Sequence, residues 1–465
     1  MPHRRDPRVL SPLWKSSLSI LIAIALAPAT RAADVGWKAG VAASVITPKG
    51  PLWMSGYASR KAPSRGAIHD LKAKALLLAD PAGRKALLIT LDLCGIDRET
   101  SARITKVIMA RHAMAREQVA LACSHTHCGP VVGSNLIGMY PIDDAERDRI
   151  ARYTDGLVTA VVNLADQAIA SASEAKLGWT IGRAGFAVNR RQNPEAKVPE
   201  RRRSLTLEGP VDHDVPVLKV ARPDGSTLAL VFGYACHCTT LGIDQFCGDY
   251  AGFTQIELEK RYPGATALFV AGCGADQNPI PRHSIDLAVR YGAELAGAVE
   301  HALAGSVEPV KGDLSASYEE IPLAFAAIPG RGQVESDTHS TNVYIASRAR
   351  GLLKRLDERG SLDSTYPYPV QVWRLGSLEW ILLGGEVVVD YSRKIKRSRD
   401  PGRVWVSAYC NDVMAYIPSL RVLKEGGYEG GGAMVYYGLP SPWRDDVEQA
   451  ITAAVVRGLS KLGAD

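Results

Sequence analysis

Apolar positions along the chain fall into two rhythms. Six stretches are almost continuously apolar: residues 85–95 (KALLITLDLCG), 119–126 (VALACSHT), 227–237 (TLALVFGYACH), 265–273 (ATALFVAGC), 378–386 (LEWILLGGE) and 403–410 (RVWVSAYC). Runs of this kind predict strands covered on both faces. Between them the spacing changes to that of helices. Residues 98–113 place Ile104, Val107 and Ile108 on one face, and residues 145–171 place Ile150, Tyr153, Leu157, Val161 and Leu164 at helical intervals. Residues 249–262 and 284–303 also read as helices. Strands alternating with helices predict an α/β domain. Two stretches break the rhythm. Residues 190–214 are rich in charge and Pro and contain Arg201, Arg202 and Arg203; they read as a solvated loop or as a rim contacting a polar or anionic substrate. Residues 328–342 are rich in Gly, Ser and Thr and read as a second loop. No repeat of 20–50 residues and no break in composition divides the rest, so residues 34–465 are expected to form one domain.

Composition changes this picture little, at 46% apolar and 22% charged over 465 residues. The N-terminus changes it more. Arg4, Arg5, Arg8 and Lys15 precede the apolar run SILIAIALAPA and then small residues. That order predicts a secretory signal peptide over residues 1–33 and a periplasmic or secreted protein. The formal net charge is +6, but residues 1–32 hold five Lys/Arg and one Asp, which leaves +2 for the remainder. A nucleic-acid partner is therefore not expected. The eight cysteines show no small-domain framework spacing and lie mostly in apolar runs, where a free thiol packs as a small hydrophobe.

Candidate chemistry gathers at the ends of the apolar runs. His125 and His127 stand two apart in ACSHTHCGP, and on an extended strand both would face one side. Either a hydrogen-bonded structural pair or imidazole metal ligation accounts for them. His237 closes another apolar run. Cys236 and Cys238 flank it on the opposite face, which disfavours a structural Cys/His zinc site. Glu386 ends LLGGE, where a carboxylate is costly unless paired or bound to a cation. Tyr416 follows the run that ends at Cys410. Three or four N and O ligands with one open position would define a catalytic zinc. The Gly-rich turn 271–282 (AGCGADQNPIPR) has small residues that let backbone amides face a ligand, with Gln277 and Asn278 at its apex.

Taken in order, these stretches resemble the neutral/alkaline non-lysosomal ceramidase family in its zinc-bearing N-terminal domain. The segment ITPKGPLWMSGYASR (46–60) is similar to the family's ITxP…MxGYA opening. SHTHCGP (124–130) resembles THTHSGP, and VNRRQNP (188–194) resembles INRSPxAY. Residues 214–242 resemble the strand-loop-strand that ends in ATHxTSM. CGDYAGF (247–253) resembles SGDNKGY, and GGE (384–386) resembles PGE. Tyr416 in YIPS and Tyr428 in YEG stand twelve apart, as in the family's YVTT and YEG.

The resemblance implies mixed β-sheets in a core covered by helices. It implies Zn2+ held by His125, His237, Glu386 and Tyr416, with His127, Arg190 and Tyr428 contacting substrate or supporting the ligands. The implied activity is hydrolysis of an amide, N-acyl sphingosine or a related small-molecule or lipid amide, with peripheral contact to a membrane surface. The chain departs from the family where GADQNP (274–279) replaces GDVSPN. Gln277 stands at the position of the proposed serine nucleophile, Ala275 replaces the preceding acid, and Gln277 is expected to orient substrate through its amide. No counterpart of the immunoglobulin-like C-terminal domain that family members often carry is expected within residues 34–465. Two alternatives stay open: hydrolysis of a different polar ester or amide, and a non-catalytic zinc- or ligand-binding protein on the same scaffold.

Overall fold

The computed structural model describes residues 36–463; the expected signal peptide lies outside the described residues. The larger sheet has nine strands. Its path runs Val119–Cys123, Lys85–Leu91, Lys72–Ala79, Trp37–Val45, Ser173–Arg183, Asp214–Ala221, Thr227–Tyr234 and Thr266–Ala271, with Glu308–Pro309 paired onto Ser173–Arg183. The two outermost pairs are parallel and the inner ones antiparallel. A parallel neighbour needs a crossover connection. Helices Arg98–His112 and Asp249–Arg261 supply the two required here. The smaller sheet runs Leu314–Ala324, Thr365–Leu375, Leu378–Leu383 and Val404–Ser407, with its last pair parallel.

Strand alternation builds the layers. On Lys72–Ala79, Leu76 and Leu78 point into a core shared with the smaller sheet, while Ala75 and Leu77 point to the helical side. Helices Asp144–Ala170, Asp249–Arg261 and Ile285–Ala304 cover that side, and Val447–Lys461 packs on the smaller sheet. The inter-sheet core centres on tryptophans. The Trp380 and Trp405 rings stack at 4.1 Å and 3°, and Trp179 from the larger sheet lies 5.6 Å from Trp405. The Trp380 indole donates to Ser407 Oγ (2.8 Å) and that of Trp179 to the Gly402 carbonyl (2.7 Å), so both polar tips are satisfied while the rings are buried.

All six apolar runs became strands, and the four helical stretches became helices with ends within a residue or two. The pattern passed over Trp37–Val45, Lys72–Ala79, Ser173–Arg183, Asp214–Ala221, Leu314–Ala324 and Thr365–Leu375. Most of these alternate buried and partly exposed positions, whereas Lys72–Ala79 and the buried middle of Thr365–Leu375 are interrupted in sequence by Lys74 and by Pro369 and Gln371, so none has a continuous apolar signature. The expected loops also carry helices, Val198–Arg203 in the first and Arg331–Asp337 in the second. In the first, Arg201 donates to the Gln192 carbonyl, and Arg202 donates to those of Gly185 and Ile280. These two arginines staple the segment down, so it is not a freely solvated loop.

Trp405→Ala should leave a void between the sheets. It is expected to lower the unfolding free energy by about 3–5 kcal/mol, read by urea denaturation followed by far-UV circular dichroism. A loss under about 1 kcal/mol would contradict the central role given to this stack.

Candidate metal centre

Several strands of the two sheets end at one place, as ligand sites in open α/β sheets do. His125 and His127 follow Val119–Cys123, His237 follows Thr227–Tyr234, and Glu386 follows Leu378–Leu383. The histidine pair is not on an extended strand. The strand stops at Cys123, and His125 adopts a left-handed backbone with φ 59°. The turn is pinned by its own bonds. Thr126 Oγ1 donates to the Cys247 carbonyl (2.7 Å), and the His127 amide donates to the Cys238 carbonyl (3.2 Å). Glu386 is placed by Gly384 and Gly385. Gly385 has φ 72°, and a Cβ there would stand 2.8 Å from the Ala415 carbonyl oxygen. The chain then re-enters a short parallel pair in which Glu386 stands opposite Tyr416.

His125, His237, Glu386 and Tyr416 come together, nearly inaccessible to solvent. His125 Nδ1 lies 2.6 Å from the Cys94 carbonyl oxygen, and His237 Nδ1 lies 2.8 Å from that of Gly274. A carbonyl oxygen only accepts, so both Nδ1 atoms carry the proton and both Nε2 atoms are left to face inward. His125 Nε2 is 3.0 Å and His237 Nε2 3.2 Å from Glu386 Oε2. Glu386 Oε2 is buried with no hydrogen-bond donor, whereas Oε1 accepts from the Tyr437 hydroxyl. Neutral imidazoles would thus turn lone pairs toward a carboxylate oxygen, an arrangement that calls for a cation or a proton at its centre. The groups have the ligand types and the outer hydrogen bonds of a zinc site, and two imidazoles with one carboxylate suit that ion.

Electrostatics describes the same demand for positive charge. Burial opposes an ionised Glu386, yet His125 and His237 hold its carboxyl well below the ordinary carboxylate range. Burial likewise opposes a charged His125, but the facing Glu386 lifts it to about 10. His237 is pushed down to about 4 by burial and by Arg190. His127 is held well below its usual value by burial and by the other two histidines. The Tyr416 hydroxyl is raised by burial and by Glu386, while Arg190 Nη2 donates to its oxygen at 3.0 Å. Arg190 itself is neutralised by Glu429, at 2.7 Å.

His127 Nε2 lies 3.1 Å from His125 Nε2. With Arg190, Tyr416 and Tyr428 it lines an open cavity of about 610 Å³ that also includes Tyr57 and Asn278. Gln277 is not brought to this cavity. Its Nε2 donates to the Ala235 carbonyl (2.6 Å) and its Oε1 accepts from the Asp212 amide (3.2 Å). Asn278 lines the cavity instead and accepts from Arg190 Nη1 (3.2 Å). Asp276 is also engaged elsewhere, accepting from the Val389 amide at 2.8 Å. Three contributors escaped the sequence reading. Tyr437 holds Glu386, the Tyr409 ring stacks on His125 at 4.3 Å, and Arg60 donates to the His127 carbonyl at 2.7 Å. A fourth, Glu429, had a local cue, standing beside Tyr428 in YEG. All eight cysteines are buried free thiols.

Fold and site together define a mixed α/β domain with a buried two-histidine, one-carboxylate centre at its strand ends. Residues 37–284 match the family model for the N-terminal region of neutral/alkaline non-lysosomal ceramidases, and the chain belongs to that family. It is 25% identical over 223 residues to neutral ceramidase B and 24% identical over 239 residues to neutral ceramidase A, both of Dictyostelium discoideum. These matches take in 45% and 48% of this chain but only 30% and 32% of the relatives, about a third of their length. Among solved structures, the neutral ceramidase from Pseudomonas aeruginosa superposes with a TM-score of 0.71 at 18% identity, over 92% of this chain and 75% of that one. A ceramidase complexed with C2 superposes with a TM-score of 0.73 at 18% identity, over 92% of this chain and 76% of that one. The expected fold is thereby borne out.

Gln277→Ser should cost about 1–3 kcal/mol by stranding the Ala235 carbonyl and the Asp212 amide. It should confer no new hydrolytic activity. Denaturation midpoints and an amide-hydrolysis screen of the variant check this; a gain of activity without loss of stability would contradict the placement of Gln277.

Proposed function

We propose that this protein is an exported zinc-dependent hydrolase that cleaves an amide bond, with an N-acyl sphingosine or a related N-acyl compound as substrate. One observation carries the reading: His125 Nε2 and His237 Nε2 converge within 3.2 Å on the unpartnered Oε2 of buried Glu386. His125, His237, Glu386 and Tyr416 would hold the ion. Zinc in such a site is a Lewis acid that polarises a carbonyl and makes water acidic enough to attack near neutral pH. The chain's own residues prepare the rest. The Cys94 and Gly274 carbonyls fix the two ligand rings, and Tyr437 fixes the carboxylate. Arg190, bonded to Tyr416 and Glu429, keeps the phenol oxygen turned inward. His127 stays neutral at physiological pH and lies between His125 and the cavity. There it and Tyr428 are placed to donate to the oxygen on which negative charge develops. Export rests on the leader pattern in residues 1–33; among the described residues no helix is long and apolar enough to cross a membrane.

A second reading of the substrate is favoured by the cavity wall. Arg190, Arg191, Glu195, Arg282, Glu425 and Glu429 all line it. Such a wall suits a compact, hydrogen-bonding amide or ester better than a long apolar chain.

Protein purified without chelator should contain about one zinc per chain, measured by elemental analysis. His125→Ala and Glu386→Gln should lose both the metal and the hydrolysis of short-chain N-acyl sphingosine or of polar amides and esters. A folded wild-type protein with no bound metal would sink the proposal. Tyr437→Phe should keep the fold and weaken metal binding by about 10–100-fold, read by competition with a zinc indicator.

A further inference from the structure

A second cavity, of about 750 Å³, lies on the other side of Tyr437, whose hydroxyl holds Glu386. Its walls are the helix Val343–Arg359 and residues 134–142 and 435–438, with Arg147 from the helix Asp144–Ala170. Five basic side chains line it, Arg147, Arg348, Arg350, Lys354 and Arg355, and no Asp or Glu does. The sequence ASRARGLLKRLDER explains the segregation. Ala349, Leu352 and Leu356 bury one face of the helix, which leaves the basic residues to the other.

The charges are poorly compensated. The Arg147 and Arg350 side chains have no hydrogen-bonding or ion-pair partner among the described residues. Among the described residues, Lys354 reaches only the exposed Glu358, at 3.8 Å. Arg348 meets Asp337 at 3.4 Å, and its Nε is buried without an acceptor. Arg355 donates to the Gly438 carbonyl at 2.7 Å and feels Asp363 only at a distance, with no ion pair between them among the described residues. Midway along the basic face stands Gly351, where a Cβ would have nothing within 4 Å, so the space between the cations is open. Like charges held around one hollow repel unless an anion sits among them. Guanidinium groups from different directions suit a tetrahedral oxyanion carrying close to two charges, which accepts several charge-assisted hydrogen bonds at once.

We propose that this cavity binds a phosphate group, presented by a soluble phosphomonoester or by a lipid headgroup. The cavity is distinct from the one at the candidate metal centre, although Tyr437 touches both, and its test reads binding rather than turnover. Titration calorimetry of the full-length protein with inorganic phosphate and with glycerol 3-phosphate forms one arm. Co-sedimentation with phosphatidylcholine vesicles, with and without phosphatidic acid, forms the other. Binding is expected in at least one arm and should weaken as salt is raised. Calorimetric binding alone assigns a soluble ligand, and binding to phosphatidic acid vesicles alone assigns a headgroup. The double variant Arg147→Glu/Arg350→Glu should weaken binding by about tenfold or more. Arg183→Glu, on an exposed strand end elsewhere, should leave it unchanged. Both replaced arginines are exposed and unpaired, so the fold should survive. Independently of any variant, phosphate or phosphatidic acid vesicles should protect Lys354 from an amine-reactive label, read by mass spectrometry. Absence of binding in both arms, or binding and protection unaltered by the double charge reversal, would overturn the proposal.

Discussion

Two imidazole nitrogens and one carboxylate oxygen, all buried and all turned toward one point, are the constraint around which this molecule is arranged. Each ring has spent its Nδ1 proton on a backbone carbonyl, so neither is free to rotate or to change tautomer. The remaining lone pairs face Glu386 Oε2 across about hydrogen-bond distance. A buried cluster of acceptors is unfavourable without a positive charge between them. The upward shift of His125 and the downward shift of Glu386 are the protein's response in protons to that same need.

The surrounding architecture keeps those groups from relaxing apart. His125 and Tyr409 both hold left-handed backbones, at φ 59° and 58°, and their rings stack on each other. Such conformations cost energy in non-glycine residues and persist where neighbours over-determine them. Here the neighbours come from both sheets, for the Cys123 amide bonds the Tyr409 carbonyl across the layers. The tryptophan stack between the sheets therefore supports the site indirectly, by fixing how the two sets of strand ends meet.

Much of the fold and several members of the site were legible in the chain because they obey local rules. Six strands buried on both faces read as apolar runs, while Lys72–Ala79, equally buried, was masked by its two lysines, and four helices read from their period. His125, His237 and Glu386 drew notice because polar groups at the ends of such runs must be satisfied by something distant. Half-exposed strands such as Leu314–Ala324 were missed because their alternation is diluted by partly buried polar positions. The His125–Thr126–His127 stretch was read as extended because a left-handed residue leaves no mark in sequence unless it is glycine or asparagine.

By itself the sequence determined six of the buried strands, four of the amphipathic helices, and which polar residues follow those strands. These follow from burial periodicity and from backbone chemistry acting over a few residues. Only the tertiary structure decided which polar residues share a site. Tyr437 reaches Glu386 from 51 positions away, and Gln277 turns its amide to the backbone while Asn278 faces the cavity. The physical reason is that hydrogen-bond partnership depends on how the two sheets pack, and that packing is a property of the whole core rather than of any segment within it.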